Sequence, residues 1–459
     1  MNALDAGMFF AENATTPLQI GTVIIFDGPA PRYPDLARQV LARLPLAPRC
    51  LQRVRTVPLN LAHPLWVDDQ RFAIEHHVHH TSLPAPGGAR ELHEMAARIL
   101  AWRLDLTRSP WELWLIDGLE GGRWAAICKV HHCMVDGLAG IDLLTVLLDT
   151  DPACSPAEPE PWAPEPEPGS GALVRDGVVG ALAGYGRQAV RLFYPALRDS
   201  ATIARSVPFY AARLAGAGTP SLNGPIGPHR RWSRAHAGMD EIERIRRALG
   251  GSVNDVVLAA AARGFRDLLA GRGILTAEST VRALVPVSVR PPDERGRLSN
   301  RVSAALADLP CGEPDPVRRL ERVREQMAGM KKGGRAAAPE SFIRLIGGMP
   351  VLLALAARTA LRLRQPMIQT IVTNIPGPQF PLFGMGHRML ELAPYIPIVG
   401  GARISIGVVS YDGGLTFGLT GDRDTVPDLE VLSAGIRAGI DELLLASDSV
   451  AAETAPSTV

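Results

Sequence analysis

RWAAICKVHHCMVDGLAGIDLLTVLL, residues Arg123 to Leu148, is the stretch whose reading decides the fold. Trp124 to Val130 is mostly apolar and predicts a short buried strand. Beyond Gly137, Leu138, Ile141, Leu144 or Thr145, and Leu148 recur at helical spacing and predict a helix with one buried face. Asp136-Gly137 is a turn signal between them. A strand, a tight polar turn and a helix hold His131, His132 and Asp136 at the edge of a sheet. Histidine is the side chain best suited to take a proton near neutral pH. A placed imidazole speeds attack by a hydroxyl about 10²–10⁴-fold by removing its proton. Asp136 can face the ring or turn away and pair with an arginine that pins the loop. The blander alternatives are a structural histidine pair and a metal site. No third ligand arrives at zinc-like spacing, no H-E-x-x-H occurs, and Cys128 and Cys133 do not form a C-x-x-C.

HHxxxDG after a strand resembles the active-site motif of the coenzyme-A-dependent acyltransferase superfamily. Within it, the chain is most similar to the bacterial wax ester synthase/acyl-CoA:diacylglycerol acyltransferase family. The stretches that carry the likeness are Leu4 to Gly28, Ser109 to Leu119 (SPWELWLIDGL), Leu222 to Arg231 (LNGPIGPHRR), Ser252 to Ala260 (SVNDVVLAA), Val285 to Arg290 (VPVSVR) and Thr373 to Pro378 (TNIPGP). They occur in the family's order along nearly the whole chain. The resemblance implies an α/β protein of two chloramphenicol-acetyltransferase-like domains, each a mixed sheet flanked by helices, with the active site at their interface. It implies transfer of a long acyl chain from acyl-CoA, a co-substrate, with no permanently bound cofactor. The acceptor would be diacylglycerol, giving triacylglycerol, or a long-chain alcohol, giving a wax ester. His132 would be the general base and His131 its neighbour, with Asp136 and Gly137 maintaining the loop. Asn254, Asp255 and Asn374 would position the substrate or oxyanion, an effect elsewhere worth about 3–4 kcal/mol. Arg290 would pin Asp136, with Arg282 and Arg301 as rivals. Ser299-Asn300 stands where the family commonly has Gly-Asn. A thioester is already activated, so Cys133 is not needed as a nucleophile. Two rival readings are a condensation-type acyltransferase using carrier-bound substrates and a non-catalytic lipid-surface protein.

The chain of 459 residues is long enough for two or three domains. Lys+Arg number 48 against Asp+Glu 47, so no global field attracts nucleic acid. Five scattered cysteines argue for a reducing compartment and against a disulfide framework. MNALDAGMFF lacks the basic start and long apolar core of a signal peptide, which predicts a cytoplasmic protein. The expected division is an N-terminal domain over 1–150, a Pro-rich linker with connecting helices over 151–218, a C-terminal domain over 219–446, and a disordered tail over 447–459. Prolines from Pro152 to Pro168 make the linker stiff and extended. His76-His77-Val78-His79-His80 sends alternate rings to opposite faces of a strand, so it is not read as a metal cluster. Leu345 to Ala357 is shorter than the ~20 apolar residues a spanning helix needs. With Arg344, Arg358, Arg362 and Arg364 it suits either a core helix or one lying on an anionic lipid surface. Peripheral attachment to the inner face of the plasma membrane or to lipid droplets is therefore expected. Lys331, Lys332 and Arg335 form a local basic patch, whose default reading is a solvated loop.

Overall fold

The computed structural model describes residues 1–134, 143–153, 162–179, 221–288, 302–333, 350–360 and 367–454. Its first half contains α1 (Ala3–Ala11), β1 (Gln19–Phe26), α2 (Tyr33–Arg43), β2 (Gln52–Arg55), β3 (Leu65–Asp68), β4 (Val78–Ser82), α3 (Ala89–Ala101), β5 (Trp111–Leu119) and β6 (Arg123–His131). The second begins with β7 (Arg230–Gly238), α4 (Met239–Leu249), α5 (Val253–Gly271), β8 (Val281–Ser288), β9 (Val302–Leu309) and α6 (Pro316–Gly333). It continues through α7 (Pro350–Ala360), β10 (Thr370–Pro376), β11 (Phe383–Gly384), β12 (His387–Tyr395), β13 (Ile404–Tyr411), β14 (Gly414–Asp422) and α8 (Leu429–Thr454).

Two six-stranded mixed sheets carry the molecule, in the orders β11-β12-β1-β6-β5-β4 and β7-β14-β13-β10-β8-β9. In the first, β4 and β5 are parallel and the other neighbours antiparallel. In the second, β8, β10 and β13 run parallel. Both faces of the first sheet are covered. Trp124, Ala126 and Val130 of β6 pack with Leu36 and Val40 of α2, while Ala125 and Ile127 pack with Leu92, Ala96 and Ile99 of α3. Alternate residues of one strand thus build two cores. In the second sheet, α5 is buried along most of its length among Ile406, Phe417 and Leu432. A hairpin joins β13 to β14, with Asp412 and Gly413 at φ 42° and 80° in a left-handed turn.

The structure departs from the expected division in two places. The C-terminal half does not keep to itself: β11 and β12 join the first sheet, with Gly21 opposite Tyr395 and Ile24 opposite Leu392. β1 would otherwise be an edge strand, so a distant segment closes it. The presumed tail is helical as far as Thr454, and Ser447 is buried with its hydroxyl bonded to Leu444 O at 2.7 Å. The acidic linker is extended over 162–169 but held down. Glu167 pairs with Arg53 at 2.5 Å and Arg55 at 3.0 Å, and Trp162 meets Phe72 edge-on. Asp136, Gly137, Arg290, Arg301, Arg335, Arg344 and most of the arginine-bearing segment over 173–214 lie outside the described residues.

Candidate active site

β6 is the strand that delivers the histidines. It lies between β1 and β5, and its last residue, His131, stands opposite Gln19. The His131 N–H donates to Pro110 O at 2.9 Å, and the His132 N–H to Leu18 O at 2.8 Å. Met134 N–H then donates back to His131 O at 2.9 Å, so the chain turns at once. The strand's alternation therefore ends with two histidines in different surroundings. His131 is wholly buried, and His132 is half-buried.

The His131 ring is engaged on both nitrogens. Nδ1 accepts the Cys133 backbone N–H at 3.1 Å, and Nε2 lies 3.1 Å from Glu12 Oε2. A backbone amide can only donate, so Nδ1 carries no proton and the proton sits on Nε2, facing the carboxylate. Glu12 follows the last turn of α1, and its side chain is 1% exposed. Oε2 also accepts the Leu18 N–H at 3.1 Å, while Oε1 takes Arg103 Nε at 2.9 Å and Nη2 at 2.6 Å. Burial alone would raise the Glu12 pKa. Hydrogen bonds from His131, Arg103 and the Leu18 amide outweigh it and hold the carboxyl below its ordinary range. On the same face of β6, the fully buried Lys129 pairs with Glu112 at 3.1 Å, and Trp114 Nε1 donates to that carboxylate at 3.0 Å. Burial pulls the Lys129 pKa down, against the opposing pull of Glu112.

The other face of the first sheet holds a cleft of about 470 Å³, open solvent included. Ile24, Phe26, Trp124, Ala126 and Cys128 form its floor, with Leu36, Gln39 and Val40 of α2, Leu144 and Leu148, and Gly384 and Met385 around it. Among the described residues, Gln39 is the single lining side chain with an amide or charge, and its Nε2 donates to Asp149 at 3.3 Å. A cleft so lined suits an aliphatic chain.

The remaining predicted residues divide. Asp255 is the third residue of α5, where its carboxylate accepts the Ser252 N–H and hydroxyl, each at 2.8 Å, in a capping box. The carboxylate thereby caps the start of the helix. Asn254 beside it is half-buried. Asn374 is half-buried toward the carboxyl end of β10, opposite Val408. Arg282 pairs with Asp308 at 2.7 Å. Cys133 is buried, and burial pushes its thiol pKa up, which disfavours the thiolate a nucleophile needs. His77 stacks on Trp111 and bonds its carbonyl at 2.9 Å, and His80 pairs with Asp117 at 2.8 Å. Among the described residues, no group of three His, Cys, Asp or Glu could hold a metal ion.

Sequence reasoning missed Glu12 and Arg103. The signal available was an unexplained carboxylate directly after the apolar run MFFA, inside a stretch already tied to the family.

The chain is similar to known proteins over nearly its whole length. The model of the wax ester synthase/diacylglycerol acyltransferase catalytic domain matches residues 1–257, and that of the family's C-terminal domain matches 298–444. A probable diacylglycerol O-acyltransferase of Mycobacterium tuberculosis is 34% identical over 450 residues, covering 97% of this chain and 96% of that protein. The structure of a wax ester synthase/diacylglycerol acyltransferase from Marinobacter aquaeolei VT8 is 25% identical, with a TM-score of 0.69 over 98% of this chain and 99% of that one. A trichothecene 15-O-acetyltransferase from Fusarium sporotrichioides shares the fold at 13% identity and a TM-score of 0.62, covering 97% and 94%. The chain belongs to the wax ester synthase/diacylglycerol acyltransferase family.

Proposed function

We propose that this chain transfers the acyl group of a long-chain acyl-CoA to the hydroxyl of diacylglycerol, with His132 as the general base. The observation that carries the assignment is the His131 ring, both of whose nitrogens are committed to Cys133 and Glu12. His132, the next residue, is half-buried, so part of its surface is open to a substrate. His132 takes the hydroxyl proton as the oxygen attacks the thioester carbonyl. The C–S bond then breaks, and the departing coenzyme A thiolate receives the proton. The products are triacylglycerol and coenzyme A.

His131 is a positioning residue in this scheme. Its carbonyl, its ring and its neighbours fix the turn that presents His132. Asp136 and Gly137 are assigned to maintain the loop, and Arg290 to pin Asp136. Asn254, at the start of α5, and Asn374, near the carboxyl end of a parallel strand, are assigned to the oxyanion and substrate. Ligands in α/β sheets commonly gather beyond such strand ends. Asp255 supports Asn254 through its cap. The apolar cleft under α2 suits the acyl chain, and long-chain alcohols are an alternative acceptor class that would give wax esters. Both acceptors live in a lipid phase, so the reading includes peripheral attachment to the plasma membrane's inner face or to lipid droplets.

Coenzyme A release from palmitoyl-CoA tests this, with diacylglycerol and then hexadecanol as acceptor. Acceptor-dependent release is the expected result. No release with either acceptor, or release only from a carrier-bound acyl donor, would overturn it.

A further inference from the structure

We propose that Arg230, from the second half of the chain, is a positioning residue for acyl transfer: through Thr15 it holds the loop that fixes both histidines. The inference rests on the reading of His132 as the base and adds a residue of the other sheet to that machinery. The loop is residues 12–18, between α1 and β1. Its two ends grip the histidine pair. At one end the Glu12 carboxylate lies 3.1 Å from His131 Nε2, and at the other Leu18 O accepts the His132 N–H at 2.8 Å. The Leu18 N–H donates to Glu12 Oε2 at 3.1 Å and closes the loop at its base. Between the ends, Asn13 Oδ1 accepts the Thr15 N–H at 3.0 Å, the Thr15 hydroxyl at 3.0 Å and the Thr16 N–H at 3.1 Å. A turn tied by its own asparagine resists bending within itself, so a displacement at Thr15 is passed to Glu12 and Leu18.

Arg230 holds the tip of this loop. It is the first residue of β7, its side chain is 1% exposed, and its Nη2 donates to Thr15 O at 2.6 Å. Nη1 donates to carbonyls of its own half, Gly227 O at 2.6 Å and His229 O at 3.0 Å. That end is rooted in the second sheet. Asp422, the last residue of β14, accepts the Gly227 N–H and the Thr425 hydroxyl, each at 2.7 Å. One planar guanidinium therefore spans the two halves and fixes both distance and angle between them, which the point charge of a lysine does not. Stability alone does not account for the arrangement. Asp422 Oδ1 stands 3.9 Å from Nη1, beyond hydrogen-bond distance. The buried Nε–H has no hydrogen-bond partner among the described residues. A buried charge so incompletely paired lowers stability, and an apolar side chain would join two loops at less cost. What the fork adds is a fixed geometry, and the geometry it fixes is that of the loop holding His131 and His132.

Kinetics and amide hydrogen exchange on the full chain test this with Arg230→Lys and with Asn13→Ala, which loosens the loop from within its own half. For coenzyme A release from palmitoyl-CoA with diacylglycerol, Arg230→Lys is expected to lower kcat about tenfold or more, with KM for palmitoyl-CoA little changed; misplacing a group by about an ångström can cost ~10²-fold. Exchange should quicken over 12–18 and 131–134 while β8, β10 and α5 keep wild-type protection. Asn13→Ala should repeat both effects. Added to Glu12→Gln, Arg230→Lys should cost little more, because the two act through one loop. Wild-type kcat in Arg230→Lys would overturn the proposal, as would losses that multiply in the double variant. Exchange that quickens around β7 and β14 but not over 131–134, or that rises throughout the chain, would show that Arg230 serves the fold alone and overturn it too. Should Arg230→Lys lose its melting transition, Asn13→Ala decides by the same two readings. Exchange is read without substrate, so a wild type that releases no coenzyme A with any acceptor marks failure of the acyl-transfer reading, while the hold of Arg230 on the histidine turn is still judged by exchange.

Discussion

Glu12 has four hydrogen-bonding contacts from three partners and almost no contact with water. Replacing it with glutamine keeps the shape and removes the charge that fixes the His131 proton on Nε2. Glu12→Gln should lower kcat roughly 10- to 100-fold, a share of what a placed imidazole supplies, with KM little changed. A fall in melting temperature with kcat intact would mean that Glu12 only supports the fold. The pH dependence has a defined sign. The folded Glu12 pKa lies below its ordinary value of 4.5, so its stabilisation is complete above that value and is lost as pH falls through the folded pKa. The stability gap between wild type and Glu12→Gln should therefore be flat above pH 4.5 and shrink below it. The two histidines were legible in the sequence because strand, turn and polar residues are contiguous. Glu12 was not, because it reaches His131 across 119 residues and only the pairing of β1 with β6 brings them together.

At the scale of elements, α3 gives a measurable case. His93 projects from α3 over the edge of Trp232 on β7. Burial, and after it the nearby Arg234, lowers the His93 pKa from 6.5 to about 4. The unfolded chain takes up a proton near pH 6.5 and the folded one only near 4, so stability falls as pH drops through that window. At about 1.4 kcal/mol per unit, the loss is on the order of 3 kcal/mol. His93→Phe should flatten the denaturation profile between pH 6.5 and 4 relative to wild type, and parallel profiles would contradict this assignment. Helix and strand positions in this protein were largely readable because hydrophobic spacing is local. α5 begins at Val253 with Ser252 as its N-cap, a serine just before the apolar run. The end of α8 was misread because Ser-Asp-Ser is a poor helix sequence. Ser447 is nonetheless buried, and Asp448 pairs with Arg244 of α4 at 2.7 Å, so tertiary contacts override propensity.

For the whole molecule, the two sheets are joined through β12 rather than only through the linker. Trp232 Nε1 donates to Pro394 O at 3.2 Å, and Ser405 donates to Ile396 O at 2.8 Å. Gly418 lets β14 pass the Pro394 carbonyl, where any Cβ would collide with backbone. Gly418→Ala should destabilise the protein by roughly 1–3 kcal/mol, the usual range for overpacking. An unchanged denaturant midpoint would show that the strands can shift there. The acidic proline-rich stretch is a break in composition that can be read locally. No local pattern could reveal that the chain returns to complete the first sheet after building most of the second, because pairing partners are set by topology and not by neighbouring residues.

The central claim is that His131 is fixed and His132 moves the proton. Acceptor-dependent coenzyme A release by His132→Ala, measured on protein whose melting curve matches wild type, tests it most directly. The account predicts a loss of about a hundredfold or more, in line with removal of a general base. Release within a few-fold of wild type would contradict it.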